Sequence, residues 1–303
     1  MGIASFNELE KKVIDSKRKF RVAVANAGDS HSIEAIMLAV DKGFAEPVLV
    51  GDKDAIVKIL GEMGRTVPEE NIYDCPDVTE AVAKAVELVR EGKADFLMKG
   101  KLDTSALLKG VVKSGTGLND GNLMSALFIA AIPGCHKLVA VVDGGMLTYP
   151  SLEQKKALIN NTVHAFHCLG CENPTVGVLA CIEKVNPKMP ETVEAAELKR
   201  MNEEGEITGC FVEGPISYDC AMSPASAKEK NFNSPAAGDC DILIAPNIHA
   251  ANILSKALTV TCKAESAGCI IGARCPVVIS SRGSSSEEKC NSIMLAAAVV
   301  LGE

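Results

Sequence analysis

The stretch Phe96-Leu-Met-Lys99-Gly100-Lys101-Leu-Asp103-Thr104-Ser105 contains the unit that repeats along this chain. The apolar run Ala94–Met98 predicts a buried strand, and a basic turn around Gly100 follows it. A helix is then predicted from Thr104 to Val112, with Asp103 or Thr104 as its N-cap. A strand that leads through a tight turn into a helix is the building block of a parallel sheet.

The same alternation extends in both directions from this unit. The further predicted strands are Phe20–Ala25, Glu46–Val50, Lys137–Val142, Thr175–Leu179, Cys210–Val212, Asp241–Ala245, Gly268–Ile271 and Pro276–Ile279. The further predicted helices are His31–Asp41, Asp54–Met63, Thr79–Arg90, Leu152–Phe166, Thr192–Asn202, Cys220–Lys228, Ile248–Ala257 and Glu287–Leu301. This alternation predicts an α/β fold with mostly parallel sheets and helices on both faces.

The composition limits the class of protein. The chain has 303 residues, which favours two domains, and its formal net charge is −8. An acidic chain without a basic stripe is not typical of nucleic-acid binders. The N-terminal stretch is polar, and the longest apolar run, Ile293 to Leu301, is far shorter than the ~18 residues of a membrane span. We therefore expect a soluble, cytoplasmic protein without a membrane or nucleic-acid partner.

Ligands bind at the carboxyl ends of parallel strands, so the polar residues that follow strands are the candidates for a site. Lys99 and Lys101 flank Gly100 and would place two ammonium groups near a phosphate, and Lys109 follows in the next helix. Taken singly, each lysine is explained equally well as a solvated surface residue. The other polar groups at strand ends are Asp143-Gly-Gly145, Glu183-Lys184, Pro246-Asn247-Ile248-His249 and Ser280-Ser281-Arg282.

The segment Val278-Ile-Ser-Ser281-Arg282-Gly283-Ser-Ser-Ser286-Glu287-Glu288-Lys289 combines an anion site with a potential base. It predicts a strand, a turn that contains an arginine, and a helix with two carboxylates in its first turn. Free N–H groups at a helix N-terminus bind phosphate, and a guanidinium adds bidentate contacts. Alternatively, these residues only begin the helix, because Ser284 with Glu287, or Ser285 with Glu288, has the spacing of a capping box.

Cysteine and histidine give only a weak signal for a metal. Cys168 and Cys171 form the one C-x-x-C, with His164 and His167 beside them, but no second pair completes four ligands. Buried helix thiols are the better interpretation. His249, which follows a strand, is the histidine with the best position for a functional role.

Other motifs exclude several classes. Gly115-Thr-Gly117-Leu-Asn-Asp-Gly121 lacks the spacing of the dinucleotide fingerprint and follows a helix, and neither a P-loop nor a G-x-S-x-G elbow occurs. Asp219, Asp239 and Asp241 are residue types that bind divalent cations. However, Asp239-x-Asp241 precedes a strand, at the end opposite to a site. We therefore expect no metal.

Five ordered stretches resemble the phosphate acetyl/butyryltransferase family. They are MKGKLDTSALLKGVV (Met98–Val112), VVDGGMLTYPSLEQKKALI (Val141–Ile159), EGPISYDCAMSPASAKEK (Glu213–Lys230), SPAAGDCDILIAPNIHAANILSKAL (Ser234–Leu258) and GARCPVVISSRGSSSEEKCNSIMLAA (Gly272–Ala297). The D-G-G after a strand, the length and the S-R-x-x-S-x-E-x-K run resemble the butyryl branch more than the acetyl branch.

The resemblance implies a two-domain fold of the isocitrate/isopropylmalate dehydrogenase type, with the active site in the interdomain cleft. Residues 1–135 and 268–303 would form domain I, and residues 136–267 would form domain II. Homodimers are usual for this architecture. The implied reaction transfers a short acyl group, butyryl in preference, directly between coenzyme A and inorganic phosphate in a ternary complex. Coenzyme A and acyl phosphate are then substrates, and no cofactor is needed.

The resemblance also assigns residues. Ser281 and Arg282 match the family's Ser-Arg pair, and Glu288 lies where the acetyl branch has an aspartate as the presumed base. The adjacent Glu287 is a competitor for that role, and Lys109 lies where the family has an arginine. The implied substrate-binding residues are Lys99, Lys101, Thr104, Lys109, Asp143 and Asn252.

Three alternatives remain open from the sequence. The first is the same chemistry on an acetyl, propionyl or branched acyl group, because a pocket discriminates one methylene by only about 1–3 kcal/mol. The second is a metal- and NAD-dependent decarboxylating dehydrogenase of the same fold. The third is a non-catalytic sensor of coenzyme A or acyl phosphate.

Overall fold

A computed structural model describes residues 3–279 and 283–303. The strands in those residues are β1 (Phe20–Ala25), β2 (Ala45–Gly51), β3 (Ile72–Asp74), β4 (Phe96–Lys99), β5 (Ser125–Ala131), β6 (Leu138–Val142), β7 (Thr175–Leu179), β8 (Phe211–Ile216), β9 (Ile242–Ile244), β10 (Glu265–Ile271) and β11 (Val277–Val278). The α-helices are α1 (Phe6–Asp15), α2 (Ser30–Asp41), α3 (Lys53–Glu62), α4 (Val78–Arg90), α5 (Thr104–Val111), α6 (Leu152–Leu169), α7 (Pro190–Glu203), α8 (Tyr218–Met222), α9 (Pro224–Glu229), α10 (Ile248–Lys256) and α11 (Ser286–Gly302). Among these described helices, none combines the length and the apolar character of a membrane span.

The chain divides into two compact units. One, here called the terminal unit, comprises Asn7–Met124, Ala267–Leu301 and Glu303. The other, the middle unit, comprises Ser125–Ser266, the N-terminal stretch up to Phe6, and Gly302.

In the terminal unit the strands lie in the order β3-β2-β1-β4-β11-β10. The pairs are parallel except for β10 with β11, which is antiparallel. Strand β4 is buried at every position and β1 at all but one, as expected for apolar strands of a parallel sheet. Because Ala25 pairs with Lys99, the carboxyl ends of β1 and β4 lie side by side, and the loops to α2 and α5 start there.

In the middle unit the strands lie in the order β5-β6-β9-β7-β8. Only β5 is antiparallel to its neighbour in this set. Helix α6 begins at a capping box between Ser151 and Gln154 and ends at Gly170, which has a left-handed conformation. Strand β5 lies in this unit, where it pairs with β6, and the predicted domain boundary after residue 135 stays a prediction.

The α/β class with a mostly parallel sheet is confirmed, and the errors concern particular elements. Strands β3 and β5 were not predicted. The helix predicted over Cys220–Lys228 is in fact α8 and α9, because Pro224 has no N–H to continue the first helix. Ser223 instead caps the second, where its side chain accepts a hydrogen bond from the Ser226 N–H.

The C-x-x-C pair lies at the end of α6. Cys168 and Cys171 are both buried, as predicted, and burial raises the pKa of the Cys171 thiol. A raised thiol pKa keeps the sulfur protonated, the form that binds metal poorly and reacts slowly. His167 instead contacts the Gly209 carbonyl oxygen at 2.7 Å.

Candidate active site

A cavity of about 630 Å³ opens in the terminal unit at the carboxyl ends of β1 and β4. Residues from the first turns of four helices line it: His31 and Ser32 of α2, Val78 of α4, Ala106 of α5, and Lys289 of α11. A helix N-terminus carries a partial positive charge and free N–H groups. The position is therefore suited to an anionic ligand.

The turn after β4 supplies two of the cationic side chains of this cavity. Lys99 is buried, and its ammonium donates to the Leu102 carbonyl oxygen at 3.0 Å, while Lys101 is exposed. Gly100 lies between them, and a Cβ at this position would be 2.3 Å from the Asn26 carbonyl oxygen. Only glycine fits such a close approach of two backbone segments. The glycine is therefore required sterically, whereas the two lysines supply the positive charge.

The other two predicted binding residues of this region are exposed on α5. Thr104 is the first residue of the helix, and Lys109 lies in its last turn. Neither side chain is among those that line the cavity in the described residues. The structure therefore groups Lys99 and Lys101 at the cavity, and it leaves Thr104 and Lys109 on the surface of the adjoining helix.

Asp143 and Asn252 come together in the middle unit, around the loop that follows β6. One oxygen of Asp143 accepts from the N–H groups of Gly145 and Met146 at 2.8 Å each, and the other accepts from the Ala126 N–H at 3.1 Å. Burial raises the pKa of the Asp143 carboxyl, and these donors oppose the shift. Asn252 donates to the Gly144 carbonyl oxygen at 3.1 Å. Both side chains thus hold the Gly-Gly loop in shape.

The helix that carries the predicted base begins with a capping box. The Ser285 side chain accepts from the Glu288 N–H at 3.1 Å, and the Glu288 carboxylate accepts from the Ser285 N–H at 3.2 Å. Glu287 is exposed. Ser281 and Arg282 lie outside the described residues. The capping interpretation therefore holds for Ser285 and Glu288, whatever further role the carboxylate has.

The sequence analysis did not name Lys289 as a site residue. Its residue surface is only 6% exposed, and it lines the cavity together with Lys99 and Lys101. The sequence around Lys289 carries no signal for this role, because the lysine follows two glutamates in the first turn of a helix and its burial depends on the fold.

A second polar cluster lies in the middle unit, after β7 and β8. Ligand atoms of Glu183, Asp219 and Cys220 lie within 4.8 Å of one another. The Lys230 ammonium is 2.9 Å from Glu183 Oε1 and 2.9 Å from Asp219 Oδ2, so a cation already neutralises both carboxylates. Hydrogen bonds from Ser217 and Lys230 lower the pKa of Asp219 to about 2. This cluster is explained as a surface ion-pair network.

The remaining candidates also have structural partners. The Lys137 ammonium contacts Asp239 at 3.0 Å and Asp241 at 2.8 Å, and Asp241 accepts from the Thr175 N–H at 2.8 Å. Both aspartates lie before β9, at the amino end of the strand, as the sequence predicted. His249 lies 3.2 Å from the Tyr149 hydroxyl.

The structure is that of an α/β protein with a cavity suited to an anionic ligand at the carboxyl ends of parallel strands. The chain belongs to the phosphate acetyl/butaryl transferase family, which matches residues 74–297. It is 41% identical over 297 residues to the phosphate butyryltransferase of Clostridium acetobutylicum, with 98% of both chains covered. It is 44% identical over 290 residues to the phosphate acetyltransferase of Thermotoga maritima, with 95% of this chain and 98% of that protein covered. A branched-chain phosphotransacylase from Enterococcus faecalis V583 has a similar structure, with a TM-score of 0.82 and 28% identity over 93% of this chain and 99% of that one.

Proposed function

We propose that this protein transfers a short acyl group between coenzyme A and inorganic phosphate, with butyryl as the preferred group. Membership of the family and the names of its relatives support the reaction class. The structural observation that carries the proposal is the cavity in the terminal unit. Its lysines and helix N-termini suit the phosphate groups that both substrates bear.

The reaction needs no covalent acyl-enzyme. In one direction a phosphate oxygen attacks the thioester carbonyl, the C–S bond breaks, and the coenzyme A sulfur leaves and takes up a proton. In the other direction the thiol, with an ordinary pKa of about 8.5, loses its proton to a base and attacks the acyl phosphate carbonyl; the C–O bond to the phosphoryl group then breaks and inorganic phosphate leaves. Glu288 is proposed as that base, because its carboxylate is held in a fixed position at the start of α11.

The remaining roles follow from charge. Arg282 would offset the negative charge of the tetrahedral intermediate and of the phosphate. Ser281 would donate a hydrogen bond to the same negative charge. Removing one such donor typically lowers kcat by ~10²–10³-fold. Lys99 and Lys101 would bind phosphate directly. Asp143 and Asn252 would act through the shape of the loop that they hold. Contacts of Thr104 and Lys109 with coenzyme A stay predictions. The homodimer, the position of the site in a cleft, the cytoplasmic location and the absence of a cofactor also stay predictions.

Butyryl and acetyl are the two candidates for the acyl group. The butyryltransferase and the acetyltransferase are similar to this chain to nearly the same degree, at 41% and 44% identity. The D-G-G loop, the chain length and the S-R-x-x-S-x-E-x-K run over residues 281–289 resemble the butyryl branch more than the acetyl branch. Acetyl transfer is the alternative.

The test is thiol release from acetyl-, propionyl-, butyryl- and isobutyryl-coenzyme A, with and without phosphate. We expect release that depends on phosphate, is greatest for the four-carbon butyryl group, and falls by about 10²-fold or more in Arg282→Ala. Release that peaks with acetyl-coenzyme A would favour the alternative acyl group. Release that does not depend on phosphate would contradict the reaction.

A further inference from the structure

Four lysines are buried in the described residues, and three of them have oxygen partners. Lys137 contacts Asp239 and Asp241, Lys155 pairs with Glu194, and Lys99 donates to the Gly100 and Leu102 carbonyl oxygens. Lys289 is 6% exposed, and the described part of the chain shows no hydrogen bond or ion pair to its ammonium. A buried charge is costly unless it is paired, so the partner of Lys289 is expected to be a ligand.

A complementary group lines the same cavity. Asp29 is the N-cap of α2, and its Oδ1 accepts from the Ser32 N–H at 2.9 Å. Its other oxygen, Oδ2, is buried and has no hydrogen-bond partner in the described residues. Because a buried acceptor without a donor is unfavourable, this oxygen favours a ligand that carries a hydroxyl or amine hydrogen.

Lys289 and Asp29 do not neutralise each other in the described structure, although both line the cavity. The other charged side chains that line the cavity are Lys99, Lys101 and Asp103, and His31 also lines it. Three lysines against two aspartates, with the helix N-termini added, leave an excess of positive charge. The ligand that fits is therefore an anion that also carries a hydrogen-bond donor.

We propose that Lys289 and Asp29 together bind a phosphate group that carries an adjacent hydroxyl, Lys289 by its charge and Asp29 by accepting the hydroxyl hydrogen. The inference rests on the proposed function, because it assigns a part of that site to one of its substrates. Two sources share this chemistry. One is inorganic phosphate in its monohydrogen form, and the other is the phosphorylated ribose of coenzyme A.

The first experiment measures binding without turnover. The thermal midpoint of the wild-type protein is recorded with inorganic phosphate, sulfate, coenzyme A and dephospho-coenzyme A, and then for Lys289→Met, Lys289→Arg and Asp29→Asn. Lys84→Met is the control for the loss of one positive charge, because Lys84 lies on α4, where it pairs with the exposed Glu87. Asparagine caps helices as well as aspartate, so Asp29→Asn changes the unpartnered oxygen and keeps the cap.

We expect Lys289→Met to lose the ligand-induced rise in midpoint and to raise the Kd of the same ligand by about 10- to 100-fold, the usual effect of losing a charged hydrogen bond. Lys289→Arg should restore most of the affinity. Asp29→Asn should reduce the preference for phosphate over sulfate, because fully ionised sulfate has no hydrogen to donate. An effect on inorganic phosphate identifies the first source. An effect on coenzyme A but not on dephospho-coenzyme A identifies the second.

Unchanged affinity for both phosphate and coenzyme A in Lys289→Met and Asp29→Asn would overturn the inference. That failure is distinct from failure of the proposed function, since the midpoint shifts need no acyl transfer. A wild-type protein that binds phosphate through Lys289 but transfers no acyl group would support the site and contradict the reaction.

Discussion

At the scale of single residues, Glu288 combines a structural role with a proposed catalytic one. Its carboxylate accepts from the Ser285 N–H and so completes the capping box at the start of α11. A glutamine in the same position can make that contact, because capping boxes accept either residue. The two roles of Glu288 can therefore be separated by substitution.

We predict that Glu288→Gln lowers kcat by about 10²-fold or more and leaves the free energy of unfolding nearly unchanged, because the cap remains while the base is lost. Ser285→Ala should do the reverse. It removes the capping hydroxyl and should cost about 1 kcal/mol of stability, with a smaller effect on kcat. Steady-state kinetics and chemical denaturation of the two variants provide the check. If Glu288→Gln kept full activity, Glu287 or another group would have to be the base.

At the scale of elements, the β4–α5 turn decides whether the site can form. Lys99, Gly100 and Lys101 join a fully buried strand to a helix N-terminus, and the Asn26 side chain donates to the Lys101 carbonyl oxygen. The neighbouring end of β1 approaches so closely that no side chain fits at Gly100. The position of both lysines thus depends on one glycine.

Gly100→Ala should destabilise the protein by about 1–3 kcal/mol or more, because the new Cβ would lie 2.3 Å from the Asn26 carbonyl oxygen and 2.6 Å from that of Ala25. Gly61→Ala is the matched control. It lies inside α3 with no atom within 4 Å of the added Cβ, and alanine there should raise stability by about 0.4–1 kcal/mol. Urea denaturation measures both effects. Equal midpoints for the two variants would show that the turn tolerates a side chain.

The sequence predicted most elements because their apolar periodicity is strong, as in α4 and in the uniformly buried β4. It missed β3, which has only three residues and no buried position. It also missed β5, whose neighbours are polar turns and whose antiparallel pairing with β6 breaks the expected alternation. Short or exceptional strands of this kind depend on a partner that is distant in sequence, so local pattern carries little information about them.

At the scale of the whole molecule, the sequence predicted the basic turn and the α11 start as parts of one site, and Lys99, Lys101 and Lys289 line one cavity in the structure. The sequence could not find Lys289 or Asp29, because their significance comes from burial beside a cavity and from missing partners, which only the fold creates. It also predicted Asp143 as a substrate-binding residue, and this stays a prediction; in the structure the Asp143 oxygens accept from three backbone N–H groups. A sequence motif thus predicts which segments of the chain form a site, whereas only the packed structure shows which side chains line it.

Acid stability should reveal the ion-pair network of the middle unit. Ser217 and Lys230 lower the pKa of Asp219 from 3.8 to about 2, so the unfolded chain takes up this proton at a higher pH than the folded one. The contact therefore stabilises the fold above about pH 4, and this contribution is lost as the pH falls towards 2. Lys230→Met removes one of the contacts that lower this pKa, so the free energy of unfolding of the variant should fall less steeply than that of the wild type between about pH 4 and pH 2. Since the groups are exposed, high salt should reduce the difference between variant and wild type, and an unchanged pH profile in low salt would contradict the account.

The central claim, transfer of an acyl group between coenzyme A and phosphate, is tested most directly by the fate of that group. Phosphorus NMR of a reaction of butyryl-coenzyme A with inorganic phosphate should show butyryl phosphate forming in an amount equal to the thiol released. The reaction should also reverse when coenzyme A is added. Thiol release that yields free butyrate without an acyl phosphate signal would show hydrolysis in place of transfer, and it would contradict the claim.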